Sequence, residues 1–155
     1  MNYAVLLASG RGLRLKSNTI KPLLMLQGKP LFLYALDTFI NNKHIDHIVL
    51  VVLPSCIKQF QAYLNSPKYK NVYLVHGDEQ YRHQSLINAM SFLKTKFKMK
   101  PKDVIVSHDI ARINVSTSII DDNIRVAYNV GYASTVLPIH DSLCEISKTT
   151  KYISR

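Results

Sequence analysis

Tryptophan is absent from this chain, and cysteine occurs at two positions among 155 residues, Cys56 and Cys144. Two distant cysteines with no C-x-x-C pair exclude a zinc site and a disulfide framework, and point to a reducing compartment. Histidine stands at 44, 47, 76, 83, 108 and 140, without metal-ligand spacing such as H-E-x-x-H. No apolar stretch reaches the length a bilayer span requires. The start, Met1-Asn2-Tyr3, carries no basic segment or small-residue cleavage site, so a soluble cytoplasmic protein without a signal peptide is expected. Acidic residues are scarce: ten against twenty basic, a formal charge of +10. The shortage is local. Residues 1–100 hold 14 basic and 4 acidic side chains, and residues 101–155 hold 6 of each. A basic half suits an anionic partner, which leaves nucleic acid, a membrane surface and a phosphorylated small molecule open.

What is present is an unbroken alternation. Short apolar, β-branched runs at Tyr3–Ala8, His47–Leu53, Val72–Val75, Val104–Ser107 and Ala133–Pro138 read as strands. Between them lie four helical patterns. Pro30 can start the first, carrying Leu33, Leu36 and Phe39, and Ser55 is expected to cap the second, carrying Ile57, Phe60 and Leu64. Leu86, Ala89, Leu93 and Phe97 mark the third. Ile120, Ile124 and Ala127 mark the fourth, with Ser116 or Ser118 as cap. Strands alternating with helices predict a Rossmann-like α/β fold, a mostly parallel sheet with helices on both faces, as one domain over residues 1–155. Lys94, Lys96, Lys98, Lys100 and Lys102 alternate through a helix end, as a solvated face or as a phosphate-binding stripe.

The segment after the first strand, Leu7-Ala8-Ser9-Gly10-Arg11-Gly12-Leu13-Arg14, with Lys21 following, carries the most chemistry. The first βα loop of an open α/β sheet is the usual phosphate site, and small residues let phosphates approach backbone N–H groups. Two better-known phosphate loops fail on spacing. G-x-G-x-x-G lacks its third glycine, and no G-x-x-x-x-G-K-[ST] occurs. A lone Gly-x-Gly leaves an ordinary turn equally open.

That loop resembles the signature of CTP-dependent cytidylyltransferases acting on polyol phosphates, the ribitol-5-phosphate and 2-C-methyl-D-erythritol 4-phosphate enzymes. Gly28-Lys29-Pro30-Leu31, Arg82-His83-Gln84-Ser85, His108-Asp109-Ile110-Ala111-Arg112 and Asp141-Ser142 follow in the family's order. The resemblance implies a nucleotidyltransferase-type sheet and transfer of a cytidylyl group from CTP to a polyol phosphate, with ribitol 5-phosphate favoured as acceptor. It implies catalytic cations at Arg14 and Lys21, and nucleotide contacts at Leu7, Ala8, Ser9, Gly10, Gly12, Gly77, Asp78, Arg82 and Ser85. Substrate contacts are implied at Asp109, Ala111 and Arg155, a magnesium ion near Asp109, and a homodimer. His108 and Arg112 are read as structural, Arg112 as an ion-pair partner. Departures are Ser9 for alanine or glycine, Ile20 for proline before Lys21, and a segment Gly77–Arg82 one residue longer than usual. The family's chains run on past the position of Arg155, so a C-terminally shortened domain is expected. A non-catalytic nucleotide-binding remnant is the alternative. A nucleic-acid-binding domain is the lesser one, since no helix-turn-helix, zinc-finger or aromatic RNA-binding pattern accompanies the charge.

Overall fold

The computed structural model describes residues 1–10, 20–138, 145–146 and 153–154. In chain order the elements are β1 (Asn2–Leu7), β2 (Met25–Leu26), β3 (Lys29–Pro30), α1 (Leu31–Ile40), β4 (His47–Val52), α2 (Ile57–Tyr63), β5 (Val72–His76), α3 (Arg82–Phe97), β6 (Val104–Asp109), α4 (Thr117–Val130), β7 (Glu145–Ile146) and β8 (Ile153–Ser154). Four strands form a parallel sheet in the order β5-β4-β1-β6. Two short antiparallel pairs, β2 with β3 and β7 with β8, stand apart from it.

The central strands β1 and β4 are continuous apolar runs because both of their faces are covered. One face meets α1, α2 and α4 through Phe32, Leu36, Phe39, Phe60, Ile120 and Ile124. Phe32 and Phe60 meet edge to face, with ring centroids 4.8 Å apart. The other face meets α3 through Ala89 and Leu93, with Tyr3, Val5, Val49 and Val51 rising from the sheet.

The structure departs from the sequence expectation at two element boundaries. Ser55 does not cap α2: Pro54 starts a 3-10 turn, Pro54–Cys56, and α2 continues from Cys56 with no side-chain cap bond. A proline-led turn supplies the helix entry by fixing φ, so no cap is called for. The run Ala133–Pro138 is not a strand, and Val136 and Leu137 are 79% and 86% exposed. Strand geometry needs a ladder partner, and no described strand offers this segment one. Ser116 does cap α4, its Oγ accepting the Ile119 N–H at 3.3 Å, while Ser118 bonds to Ser116 at 2.8 Å.

At the amino ends of the strands an aromatic cluster encloses His47. Its ring stacks on Phe97 at 4.1 Å and lies 6.0 Å from Tyr3 and from Tyr73, and Nδ1 finds no hydrogen-bond partner among the described residues. Burial, helped by the charge of Lys96 and opposed by Asp46, pushes the imidazole below its ordinary value of 6.5. Above pH 6.5 both folded and unfolded chains hold a neutral ring. Below it the unfolded chain takes the proton first, so stability falls as pH drops through 6.5 towards the folded value. The melting temperature is expected to fall between pH 7.5 and 5.5, and His47→Phe is expected to lessen that fall. The contribution of His108, also pushed down by burial, persists in the variant. Equal slopes in the two proteins would remove His47 from the account.

Candidate active site

All four strands of the sheet run the same way, so their carboxyl ends share one edge. The chain builds β1, β4 and β5 in one direction and then crosses to β6 on the other side of β1. The switch point between β1 and β6 is where open α/β sheets bind ligands. A cavity of about 420 Å³ opens there, within the range of small-molecule sites. Three loops line it: Leu7–Gly10 after β1, Asp78–Gln80 with Arg82 after β5, and Asp109–Arg112 after β6. Lys21 and Pro22 close a further side.

Backbone bonds tie the loops to the sheet end. The Ala8 N–H donates to the Val51 carbonyl at 2.8 Å, the Gly77 N–H to Val52 at 2.8 Å, and the Ile110 N–H to Leu7 at 3.2 Å. Ala8 and Ser9 are buried and Gly10 is exposed. A Cβ on Gly10 would meet nothing within 4 Å among the described residues. Gly77 is different. A Cβ on it would stand 2.5 Å from Ser9 Cβ and 2.9 Å from Ser9 Oγ, so its lack of a side chain lets the two loops touch.

Lys21 begins a 3-10 turn, Lys21–Leu23, in which Pro22 is buried and the lysine itself is exposed at the cavity. Asp78 accepts the N–H groups of Gln80 at 2.8 Å and Tyr81 at 2.6 Å, and these bonds hold its carboxyl below the usual carboxylate range. The same bonds shape the turn that leads into α3. Asp109, the last residue of β6, faces Arg82 at 2.8 Å and Arg112 at 3.4 Å, an ion-pair triad at the cavity wall. His108 makes a 2.9 Å bond from Nε2 to the Arg112 carbonyl and sits 5.4 Å from the Phe39 ring.

Leu7, Ala8, Ser9, Gly10, Lys21, Asp78, Arg82, Asp109 and Ala111 therefore meet at one cavity, with Gly77 and Ser85 directly behind it. Gly12, Arg14 and Arg155 lie outside the described residues, as does Asp141-Ser142. Arg112, read from sequence as an ion-pair partner, does pair with Asp109 and also lines the cavity. Glu79, Gln80 and Ile110 also line the cavity; they lie inside the segments Gly77–Arg82 and His108–Arg112, but no site role was assigned to them from sequence. Lys94 and Lys96 lie in the last turn of α3, about 18 and 21 Å along its axis from Arg82, and Lys98, Lys100 and Lys102 follow beyond its end. They are therefore no phosphate stripe of this cavity. Lys94 and Lys96 in the last turn suit the negative end of the helix instead.

Mg²⁺ asks for one or two carboxylates plus phosphate and water oxygens. Among the described residues no group of three or more His, Cys, Asp or Glu could hold a metal ion. Asp109 is the carboxylate at the cavity wall that an ion arriving with a polyphosphate would meet, and both of its oxygens face guanidinium groups, Arg82 and Arg112, that such an ion would have to displace.

A parallel sheet whose switch point holds a small-residue loop, cationic side chains and an aspartate has the α/β architecture of the nucleotidyltransferase type. Comparison with known proteins makes this particular. Residues 2–154 match the family described as IspD, 2-C-methyl-D-erythritol 4-phosphate cytidylyltransferase, and the chain belongs to that family. A 2-C-methyl-D-erythritol 4-phosphate cytidylyltransferase of Clostridium acetobutylicum is 31% identical over 147 residues, covering 92% of this chain and 60% of the relative. The Clostridium tetani protein of the same name is 32% identical over 130 residues, covering 84% and 50%. Two solved structures share the fold. The 4-diphosphocytidyl-2C-methyl-D-erythritol synthase of Anaerococcus prevotii has a TM-score of 0.73 at 22% identity, covering 98% of this chain and 61% of that one. A second synthase of that name has a TM-score of 0.74 at 20% identity, covering 99% and 66%. The chain thus spans about half to two thirds of the length of these relatives. No described helix is long and apolar enough to cross a membrane.

Proposed function

We propose that the cavity binds CTP and transfers its cytidylyl group to a polyol phosphate. The observation that carries this is the convergence of the Ala8–Gly10 backbone, Lys21 and Asp109 at the sheet's switch point. In the reaction a phosphate oxygen of the acceptor attacks the α-phosphorus of CTP. The new O–P bond forms as the bond from the α-phosphorus to the bridging oxygen breaks, and pyrophosphate leaves with the electron pair. No covalent enzyme intermediate is needed, so positioning and charge stabilisation supply the catalysis.

The small residues Ala8, Ser9 and Gly10 leave room for the triphosphate, and because the Ala8 N–H is bonded to Val51, the N–H groups of Ser9 and Gly10 are the ones assigned to its oxygens. Lys21 places its ammonium against the charge that grows on the phosphoryl oxygens, and Arg14 shares this role by its place in the motif. The loop Gly77–Arg82 with Ser85 takes the nucleoside end. Asp109 and Ala111 face the acceptor, with Arg155 assigned to the same side from sequence. Asp109, on exchanging its ion pairs with Arg82 and Arg112, would hold a magnesium ion brought by the triphosphate, and that ion would supply charge neutralisation.

The acceptor follows the relatives rather than the sequence preference for ribitol 5-phosphate, which nothing among the comparisons supports. Each relative is named for 2-C-methyl-D-erythritol 4-phosphate, and that compound is the acceptor proposed here. A homodimer is part of the same proposal.

The test is pyrophosphate release with CTP or UTP and with either polyol phosphate, alongside thermal unfolding. CTP at one hundred times its Kd is expected to stabilise the fold by about 2.7 kcal/mol. Release with CTP and methylerythritol phosphate is the expected result. Stabilisation by CTP without release would favour a non-catalytic nucleotide-binding domain. Salt-sensitive binding of duplex DNA with no response to CTP would sink the proposal.

A further inference from the structure

The loop after β1 and the loop after β5 both reach the cavity, yet their strands are not neighbours. β4 lies between them, so the strand ends stand about 10 Å apart and the sheet ladder does not set the spacing of the loop tips. They touch all the same. Ser9 Oγ and Ser85 Oγ lie 3.0 Å apart across the top of β4, with Ser85 fully buried and Ser9 8% exposed. The Gly77 backbone presses against Ser9 from the same side.

The hydroxyl of Ser85 has one proton and two acceptor sites. It accepts the Asp78 N–H at 2.8 Å, while its own reach to the Asp78 carbonyl is 3.4 Å, at the long limit for a hydroxyl donor. Ser9 is the remaining partner at good length. Ser85 thus holds Asp78, the second residue of the loop after β5, and Ser9 holds Ser85. Whichever hydroxyl donates, a substitution that removes the Ser9 hydroxyl leaves the buried Ser85 hydroxyl one partner short, with little water to replace it.

We propose that Ser9 is a positioning residue: through Ser85 it fastens the phosphate loop to the nucleoside loop, so that a nucleoside triphosphate lying across both is held at one spacing. The proposal rests on the nucleotide reading above and adds to it a specific joint between the two halves of the site. Two probes separate this from a role in folding. CTP spans both loops, whereas inorganic tripolyphosphate needs only the loop after β1. In Ser9→Ala the ratio of CTP affinity to tripolyphosphate affinity is expected to fall about fivefold, the worth of one net hydrogen bond. In Ser85→Ala the ratio falls similarly, and the double variant falls no further than Ser85→Ala, as expected of partners in one interaction. Without any ligand, the Asp78 amide of Ser9→Ala is expected to exchange its hydrogen several-fold faster, with the amides of β4 unmoved.

A CTP-to-tripolyphosphate ratio that stays put in Ser9→Ala overturns the proposal, as does unchanged exchange at Asp78. So does a double variant whose losses simply add. A wild-type chain that takes up neither probe refutes the nucleotide reading itself, and the Asp78 amide then judges the joint alone.

Discussion

Replacing Lys21 by alanine is expected to lower kcat by about 10²–10³ while moving the KM for CTP far less. The lysine is placed by its surroundings more than by its own bonds. Ile20 is extended, at φ −63° and ψ 143°, and Pro22 is buried and locks the next φ, which starts the turn. The Leu23 N–H donates to Ile20 at 3.0 Å, and the Leu31 N–H, at the start of α1, donates to Leu24 at 2.9 Å. The backbone at residue 21 is therefore anchored to a core helix, and the exposed ammonium stands on a fixed base at the cavity. Charge on the phosphoryl oxygens grows as the α-phosphorus becomes five-coordinate. A positioned cation favours that state over the bound substrate, so its loss shows in kcat. Lys21→Arg keeps the charge but changes a compact ammonium for a planar fork, and is expected to recover part of the rate. Initial rates of pyrophosphate release at saturating CTP measure both. Unchanged turnover in Lys21→Ala would remove the lysine from the catalytic group.

The strands and helices were legible wherever local pattern and final environment coincide. Ile48 to Leu53 is apolar throughout because β4 is covered on both faces, and that alone marks a buried parallel strand. The cap of α4 was legible as Ser116 or Ser118, two hydroxyls just ahead of the helical pattern, and the structure selects Ser116. Ser55 is no cap, since Pro54 makes a different turn at the same place. Ala133–Pro138 shows the limit of pattern in the other direction. Its apolar and β-branched residues suit a strand, but a strand is a relation between two segments, and composition carries only one of them. The site divides the same way. Small residues after β1 announce a phosphate loop because that loop is continuous in sequence. The ion pair of Arg82 with Asp109 joins the start of α3 to the end of β6, and the Ser9–Ser85 contact spans 76 positions. No local periodicity encodes contacts of that kind. They follow from the strand order β5-β4-β1-β6, which sets the carboxyl ends of distant segments beside one another.

Gly77→Ala is expected to lower CTP affinity by one to two orders of magnitude with a much smaller effect on kcat, the opposite pattern to Lys21→Ala. The new methyl would stand 2.5 Å from Ser9 Cβ, 2.9 Å from Ser9 Oγ and 3.0 Å from Ser85 Oγ. The first contact is with a short side chain on a buried loop backbone, which has no flexible end to swing aside. The loops must separate instead, and overpacking of this kind costs about 1–3 kcal/mol. Part of that falls on the fold and lowers the melting temperature. The rest falls on binding, because a nucleotide must pull the two loops together again before it touches both. The separation leaves Lys21 untouched, so a nucleotide that does bind meets the same cation, which is why KM carries the loss. Adding Ser9→Gly removes the contacts at 2.5 and 2.9 Å and leaves the one at 3.0 Å to Ser85. The double variant is expected to regain melting temperature before it regains affinity, since it relieves the clash but has no hydroxyl to rejoin the loops. Thermal unfolding and calorimetric CTP titration of the two variants measure the separate quantities. A Gly77→Ala protein that binds CTP like the wild type would show that the loops need not touch for the nucleotide to bridge them.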